Sequence, residues 1–310
     1  MISSSASDSG VPVVEIEKGS SLGKDAWYRL QKNKLAMFSF WFFIAITLIC
    51  FVVPLIPGIP NPNKTYPDLK SMDAFQSAVS KDGEKVFYLL GSDYLGRDIF
   101  SRILSGGRVS LGVGFLATFV SLTIGVLYGA VAGFIGGRLD TIMMRIVDVL
   151  YALPFMILVI ILVTIFQNSL WLLFVCIGAV EWLTMSRIVR GQVLSLKNQE
   201  FVEAARSLGL SNWRIIIRHL IPNTVGPVIV YTTLTVPAVM RLEAILSFLG
   251  LGVQPPHASW GSLIKEGADR MVSDQALLIY PSIVFAATLF ALNFLGDGLR
   301  DALDPKTSKD

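Results

Sequence analysis

The chain has 310 residues, of which 53% are hydrophobic and 16% charged, and its mean hydropathy is +0.61. Soluble domains carry roughly a quarter charged residues, so this composition excludes an ordinary globular protein and describes a membrane bundle. The net charge of +3 is too small for a nucleic-acid partner.

Apolar runs of about 20 residues, the length that crosses a bilayer, define the elements in chain order. A polar amino-terminal segment, 1–35, carries Lys18, Lys24, Arg29, Lys32 and Lys34. The first span, 36–57, is apolar from Ala36 to Ile56. It is too long and starts too late for a signal peptide, and only PLIPGIPNPN follows it instead of a small-residue cleavage site. A loop, 58–107, leads to the second run, Val109 to Ile135. Within that run Gly125, Gly129 and Gly133 recur every fourth residue, a ridge on which another helix can pack closely. The third run, Thr141 to Phe166, holds the kink candidate Pro154, and Arg145 and Asp148 lie one turn apart as an expected interfacial pair. After the turn QNS the fourth runs from Leu170 to Arg190, the fifth from Asn223 to Gly252 and the sixth from Ala276 to Leu295. Cys50 and Cys176 lie in apolar runs, where a thiol packs as a small hydrophobe. The expected fold is all-α, a polytopic bundle of six transmembrane helices with its core at 108–300 and a tail at 301–310.

Basic residues near span ends set the orientation. The amino-terminal group, the loop 191–221 with Arg206, Arg214 and Arg218, and the tail residues Arg300, Lys306 and Lys309 fall on one side, so both termini are expected in the cytosol. The loop 58–107 would then lie outside despite its own lysines and arginines, because long segments translocate regardless of charge.

Between spans four and five stands FVEAARSLGLSNWRIIIRHLIPN, residues 201–223. Phe201, Ala204, Ala205 and Leu208 follow the i, i+3, i+4, i+7 pattern of one helix face, with Glu203 and Arg206 opposite. Asn198 is the expected N-cap, Gly209 the left-handed residue after the helix, Ser211 the start of a second helix and Pro222 a break before span five. Two alanines in a narrow stripe suit the groove of another protein better than lipid, where larger apolar residues are usual. The alternative is a helix that packs under its own bundle. Three charges lie deep in spans: Glu181, Arg241 and Glu243. Such groups face the bundle interior or water and are translocation-path candidates, with a buried polar tie between subunits as the alternative for Glu243. No GxxxxGK[ST] phosphate loop occurs, GVGFLA at 112–117 lies inside a span, and two histidines, His219 and His257, form no metal cluster.

Glu203, Ala204, Ala205, Gly209, Ile221 and Pro222 together resemble the cytosolic EAA signature of membrane subunits of bacterial ABC importers, with His219 where that signature has isoleucine. GSDYLGRDIFSR at 91–102, RIVRGQVLSLK at 187–197, LSFLGLGVQPPHASWG at 246–261 and FLGDGLRDALDPK at 294–306 narrow the resemblance to the C-type permease subunit of oligopeptide and dipeptide importers. The resemblance implies a type I ABC importer fold in the bacterial inner membrane. Its coupling helix would contact an ATPase through Phe201, Glu203, Ala204, Ala205, Leu208, Gly209 and Pro222. It also implies a second, non-identical permease subunit, two ATP-binding subunits and an extracytoplasmic peptide-binding protein as partners, with membrane lipid around the bundle. No cofactor is expected on this chain, ATP and Mg being bound by the ATPase subunits. Oligopeptide is the favoured cargo over dipeptide; glutathione and nickel importers share the subfamily. An ion-coupled secondary carrier would show internal repeats and discontinuous helices around acidic sites, and no clear repeat is evident. A scaffold would not need polar residues at mid-depth.

Overall fold

The computed structural model describes residues 22–81, 83–165 and 170–303. Lys18, the QNS turn with Phe166, and Lys306 and Lys309 lie outside the described residues.

An amphipathic helix α1 (Leu22–Lys32) leads into α2 (Lys34–Val52). Asn33 separates them and caps the second, its side chain accepting from the Ala36 N–H at 3.1 Å. Most of α2 is apolar and unburied by the chain itself, as lipid-facing side chains are. At its far end Arg108 donates to the carbonyls of Cys50 and Phe51 at 2.8 and 3.0 Å, closing acceptors that the helix leaves open.

Helix α3 (Ile99–Ile135) begins well before Val109, the expected start of the second span, because Asp98 caps it through the Ser101 N–H at 2.8 Å. The expected third span is two helices, α4 (Gly137–Ala152) and α5 (Phe155–Ile165). Pro154 is the cause: its ring forces the preceding Leu153 out of the helical region, to φ −70° and ψ 136°. There follow α6 (Leu170–Leu196), α7 (Glu200–Ser207), α8 (Asn212–Ile215), α9 (Ile221–Asn223), α10 (Val225–Phe248), α11 (Trp260–Asp269) and α12 (Ala276–Leu303). Among the described residues four stretches are long and apolar enough to cross a membrane: 34–55, 99–135, 225–248 and 276–303.

The bundle is organised around α3 against α6. A Cβ added at Gly125 would come 2.6 Å from Met185 Cβ, one at Gly129 2.3 Å from Ser186 O, and one at Gly133 3.0 Å from Arg190 O. The glycine ridge therefore packs within this chain. Gly178 of α6 returns the fit, a Cβ there lying 2.8 Å from Ala117 O.

Two short strands, β1 (Gln76–Val79) and β2 (Lys85–Tyr88), form an antiparallel hairpin that the all-α expectation did not include. It closes over Tyr66, Leu69, Val86 and Tyr88. The segment that follows explains GSDYLGRDIFSR. Gly91 and Gly96 have φ of +88° and +77°, and a Cβ at either would collide with the carbonyl of Met72 or Tyr66. Fully buried Asp93 accepts from Arg97 Nε and Arg102 Nη1, both at 2.6 Å. Glu266 of α11 completes the set, accepting from Arg97 at 2.6 Å and Arg102 at 2.8 Å.

Burial alone would raise the Glu266 carboxyl, but the hydrogen bond and charge of Arg102, with Arg97 beside it, outweigh that and hold it below its ordinary value of 4.5. A depressed carboxyl contributes stability above its unfolded value and loses it as pH falls through the folded one. Glu266→Gln is therefore expected to lower the melting temperature of the purified protein at neutral pH and to flatten its acid-side decline. Thermal unfolding in detergent between neutral pH and pH about 3 checks this; an unaltered acid slope would show that the network does not stabilise the fold.

Candidate functional site

Helix α7 starts one residue later than expected. Gln199, in extended backbone at φ −79° and ψ 151°, holds the N-cap position without a side-chain bond, and Asn198 belongs to the turn that closes α6. The helix ends in a Schellman turn: the Gly209 N–H bonds to Arg206 O at 2.9 Å and the Leu210 N–H to Ala205 O at 3.2 Å. Gly209 has φ +76° and open space around its α-carbon, so backbone conformation alone favours glycine there.

The structure divides the expected stripe. Ala205 turns inward at 3% exposure, together with fully buried Val202, into a cluster with Val126, Phe134, Met185, Val189 and Ile216. Phe201, Ala204 and Leu208 remain exposed, Leu208 at 81%. The expectation that both alanines share one outward face is thus corrected. A two-turn helix lying across the bundle end buries one flank, and β-branched Val202, which the periodicity left out, anchors that flank. Glu203 is exposed on α7, and Arg206 lies over the Phe134 ring at 5.1 Å. Trp213, also outside the sequence reading, is exposed on α8. Pro222 is exposed in the first turn of α9 and follows a π-helical turn, Ile216–Leu220, whose last bond runs from the Ile221 N–H to Ile216 O. Its place is in the connection to α10 rather than on the bare face of α7.

Charged side chains brace the base of this loop. Arg190 grips Asp140 through two bonds of 2.5 and 2.7 Å, and Lys197 reaches Gly133 O at 3.2 Å. The expected Arg145–Asp148 pair does not form: Asp148 accepts from Arg187 of α6 at 2.8 Å, which is held by stacking 4.3 Å above the Tyr151 ring.

The three path candidates sit in different surroundings. Glu243 is fully buried, accepting from Ser247 at 2.7 Å and Ser110 at 3.2 Å, while Ser110 accepts from the Trp260 N–H at 3.0 Å. It ties α3, α10 and α11 inside one chain and lines no open surface, so the path-lining expectation for it is corrected. Arg241 is exposed on α10. Glu181 is half-buried on a cleft of about 430 Å³ shared with Tyr151, Leu153, Pro154 and Thr184. Among the described residues no group of three His, Cys, Asp or Glu is placed to hold a metal ion.

Residues 21–74 match the N-terminal transmembrane domain of oligopeptide transport permease C. The oligopeptide transport system permease protein OppC of Haemophilus influenzae is 45% identical over 93% of this chain and 90% of its own length. The dipeptide transport system permease protein DppC of Bacillus subtilis is 44% identical over 92% of this chain and 86% of its own. The glutathione transport system permease protein GsiD of Pectobacterium atrosepticum is 36% identical over 96% and 95%. Residues 125–309, more than half of the chain, match the family described as binding-protein-dependent transport system inner membrane component, and the chain belongs to that family of multi-pass inner-membrane proteins.

Proposed function

We propose that this chain is one of two non-identical permease subunits of an ATP-driven peptide importer. Its cytosolic face docks one of two ATP-binding subunits, which hold ATP and Mg, and its outer face receives cargo from an extracytoplasmic peptide-binding protein. Six crossings, with α4 and α5 sharing one of them, put α7 and both termini in the cytosol and the hairpin outside. Oligopeptide is the favoured cargo, since OppC relatives stand at 42 to 45% identity, while the comparable DppC match keeps dipeptides open.

One observation carries the coupling role: α7 is pinned along one flank and bare along the other. Val202 and Ala205 share a close-packed cluster with residues of α3 and α6, so a push on α7 moves those helix ends together. Phe201, Ala204 and Leu208 are left for the ATPase groove, and Glu203 on the polar edge orients the contact. Gly125, Gly129 and Gly133 are spent on α6, so the second permease subunit meets another surface. The exposed apolar side of α4 and α5, with Ile142, Ile146, Val149, Ile157 and Ile161, supplies one. Outside, Phe75, Val79 and Phe87 are exposed on and beside the hairpin and offer the binding protein an apolar contact.

Leu208→Asp and Ala204→Asp are expected to leave membrane abundance unchanged while lowering uptake and substrate-stimulated ATP hydrolysis at least about tenfold, an unpaired charge at a packed contact costing on the order of 2 kcal/mol. Ala205→Asp should instead deplete the protein from the membrane, since its carboxylate enters a closed apolar cluster. Reconstituted vesicles with immunoblots for abundance read both effects; full coupling in the Leu208 and Ala204 variants would remove α7 from the ATPase interface. Gly209→Val forces a β-branched residue to positive φ at a cost of about 1–3 kcal/mol. It should misdirect the bare face and uncouple hydrolysis from uptake at near-normal abundance. For cargo, mass spectrometry of the binding protein that co-purifies with the complex should return peptides longer than two residues; recovery of nickel or only glutathione would reassign the importer.

A further inference from the structure

The break between α4 and α5 does more than bend a span. Leu153 is extended and Pro154 has no N–H, so the carbonyls closing α4 lose the donors that a continued helix would supply; the Leu153 N–H bonds back to Leu150 O at 3.3 Å. The negative end of the α4 dipole thus opens on the cleft that Ala152, Leu153 and Pro154 line. Across it stands Glu181 of α6, with Thr184 one turn further on. Arg187, stacked on the Tyr151 ring that lines the cleft, is engaged with Asp148. Among the described residues no basic side chain forms an ion pair with Glu181.

A carboxylate, a helix C-terminus and the Thr184 hydroxyl therefore line one open cleft, and all of them favour a compact cation that donates several hydrogen bonds. A carboxylate at this depth is costly without water or a partner. Apolar Leu150, Leu153, Val180 and Leu183 complete the walls, leaving room for small side chains beside the charge. We propose that this cleft is an ammonium-binding site in which Glu181 receives the free amino terminus of a peptide in transit, Thr184 positioning it. The inference rests on the peptide-importer reading and deepens it: the permease itself discriminates an unblocked amino terminus.

The test uses the assembled complex in lipid nanodiscs without binding protein, with trialanine and N-acetyl-trialanine as probes in titration calorimetry. The unaltered complex is expected to bind trialanine roughly tenfold more tightly, the size of one charge-assisted hydrogen-bonded contact. Glu181→Gln should bring the two peptides to within about twofold of each other. Equal binding of both peptides by the unaltered complex, binding of neither, or a preference that survives in the Gln variant overturns the site. Should the Gln variant not assemble, Glu181→Asp and Thr184→Val replace it: the first should keep the preference and the second lower it about threefold, and loss in the first or no change in the second overturns the site. Trialanine uptake into vesicles by the unaltered complex with its binding protein reads the importer function separately. Uptake without amino-terminal preference removes the site alone; absence of peptide uptake removes both.

Discussion

At Gly125, Gly129 and Gly133 the backbone of α3 touches α6 directly, because any side chain there would occupy space already held by Met185, Ser186 or Arg190. In lipid, two apolar helices gain little by hiding from solvent, so close van der Waals fit has to hold them. That fit brings Arg190 to Asp140 and Lys197 to the Gly133 carbonyl. With the α6 end fixed, the cluster that seats Val202 and Ala205 has a rigid floor. The exposed face of α7 is thus a consequence of glycines some seventy residues earlier in the chain.

On the opposite end the ordering force is electrostatic. Asp93 and Arg102 are buried, and ions taken out of water are tolerated only when every partner is in place. Here Arg97, Arg102 and Glu266 share contacts at 2.6 to 2.8 Å, and the Trp260 indole N–H adds a bond to Ile103 O at 2.9 Å. Helix α11 is clamped onto the start of α3 by these groups, which join the segment after the hairpin to the bundle. Such a network stabilises less than its Coulomb energy suggests, since desolvation offsets most of it; its main effect is to fix geometry.

How far the sequence revealed this depends on the range of the forces involved. The apolar runs of α2, α3, α10 and α12 stood out because lipid acts on each helix separately. Pro154 was visible as a kink, and the local rule for the residue before proline turned that kink into a full break. Helix α11 was missed although its Ser259–Ser262 capping box was present in the sequence, because ten amphipathic residues between two spans fall below any span-length test. Periodicity placed Phe201, Ala204, Ala205 and Leu208 on one side of α7 but carries no information about which flank meets the bundle. That is decided by α3 and α6, distant in sequence. Asp148 likewise had Arg145 one turn away, yet it pairs with Arg187 across helices, where stacking on Tyr151 holds the guanidinium in place.

The two glutamates within spans show why residue type alone did not assign their roles. Glu243 is fully buried and accepts from Ser247 and Ser110 of its own chain, so it presents no surface to a passing solute. Glu181 lies beside a helix break, where backbone carbonyls face a cleft and the nearby guanidinium is already matched to Asp148. The same carboxylate is a structural joint in one place and an open acceptor in the other. What separates them is the supply of donors nearby: serines from α3 and α10 in the first case, and no ion-pairing cation among the described residues in the second. The Pro154 break thus sets a half-buried carboxylate beside a cleft, whereas the continuous packing around Glu243 closes it off.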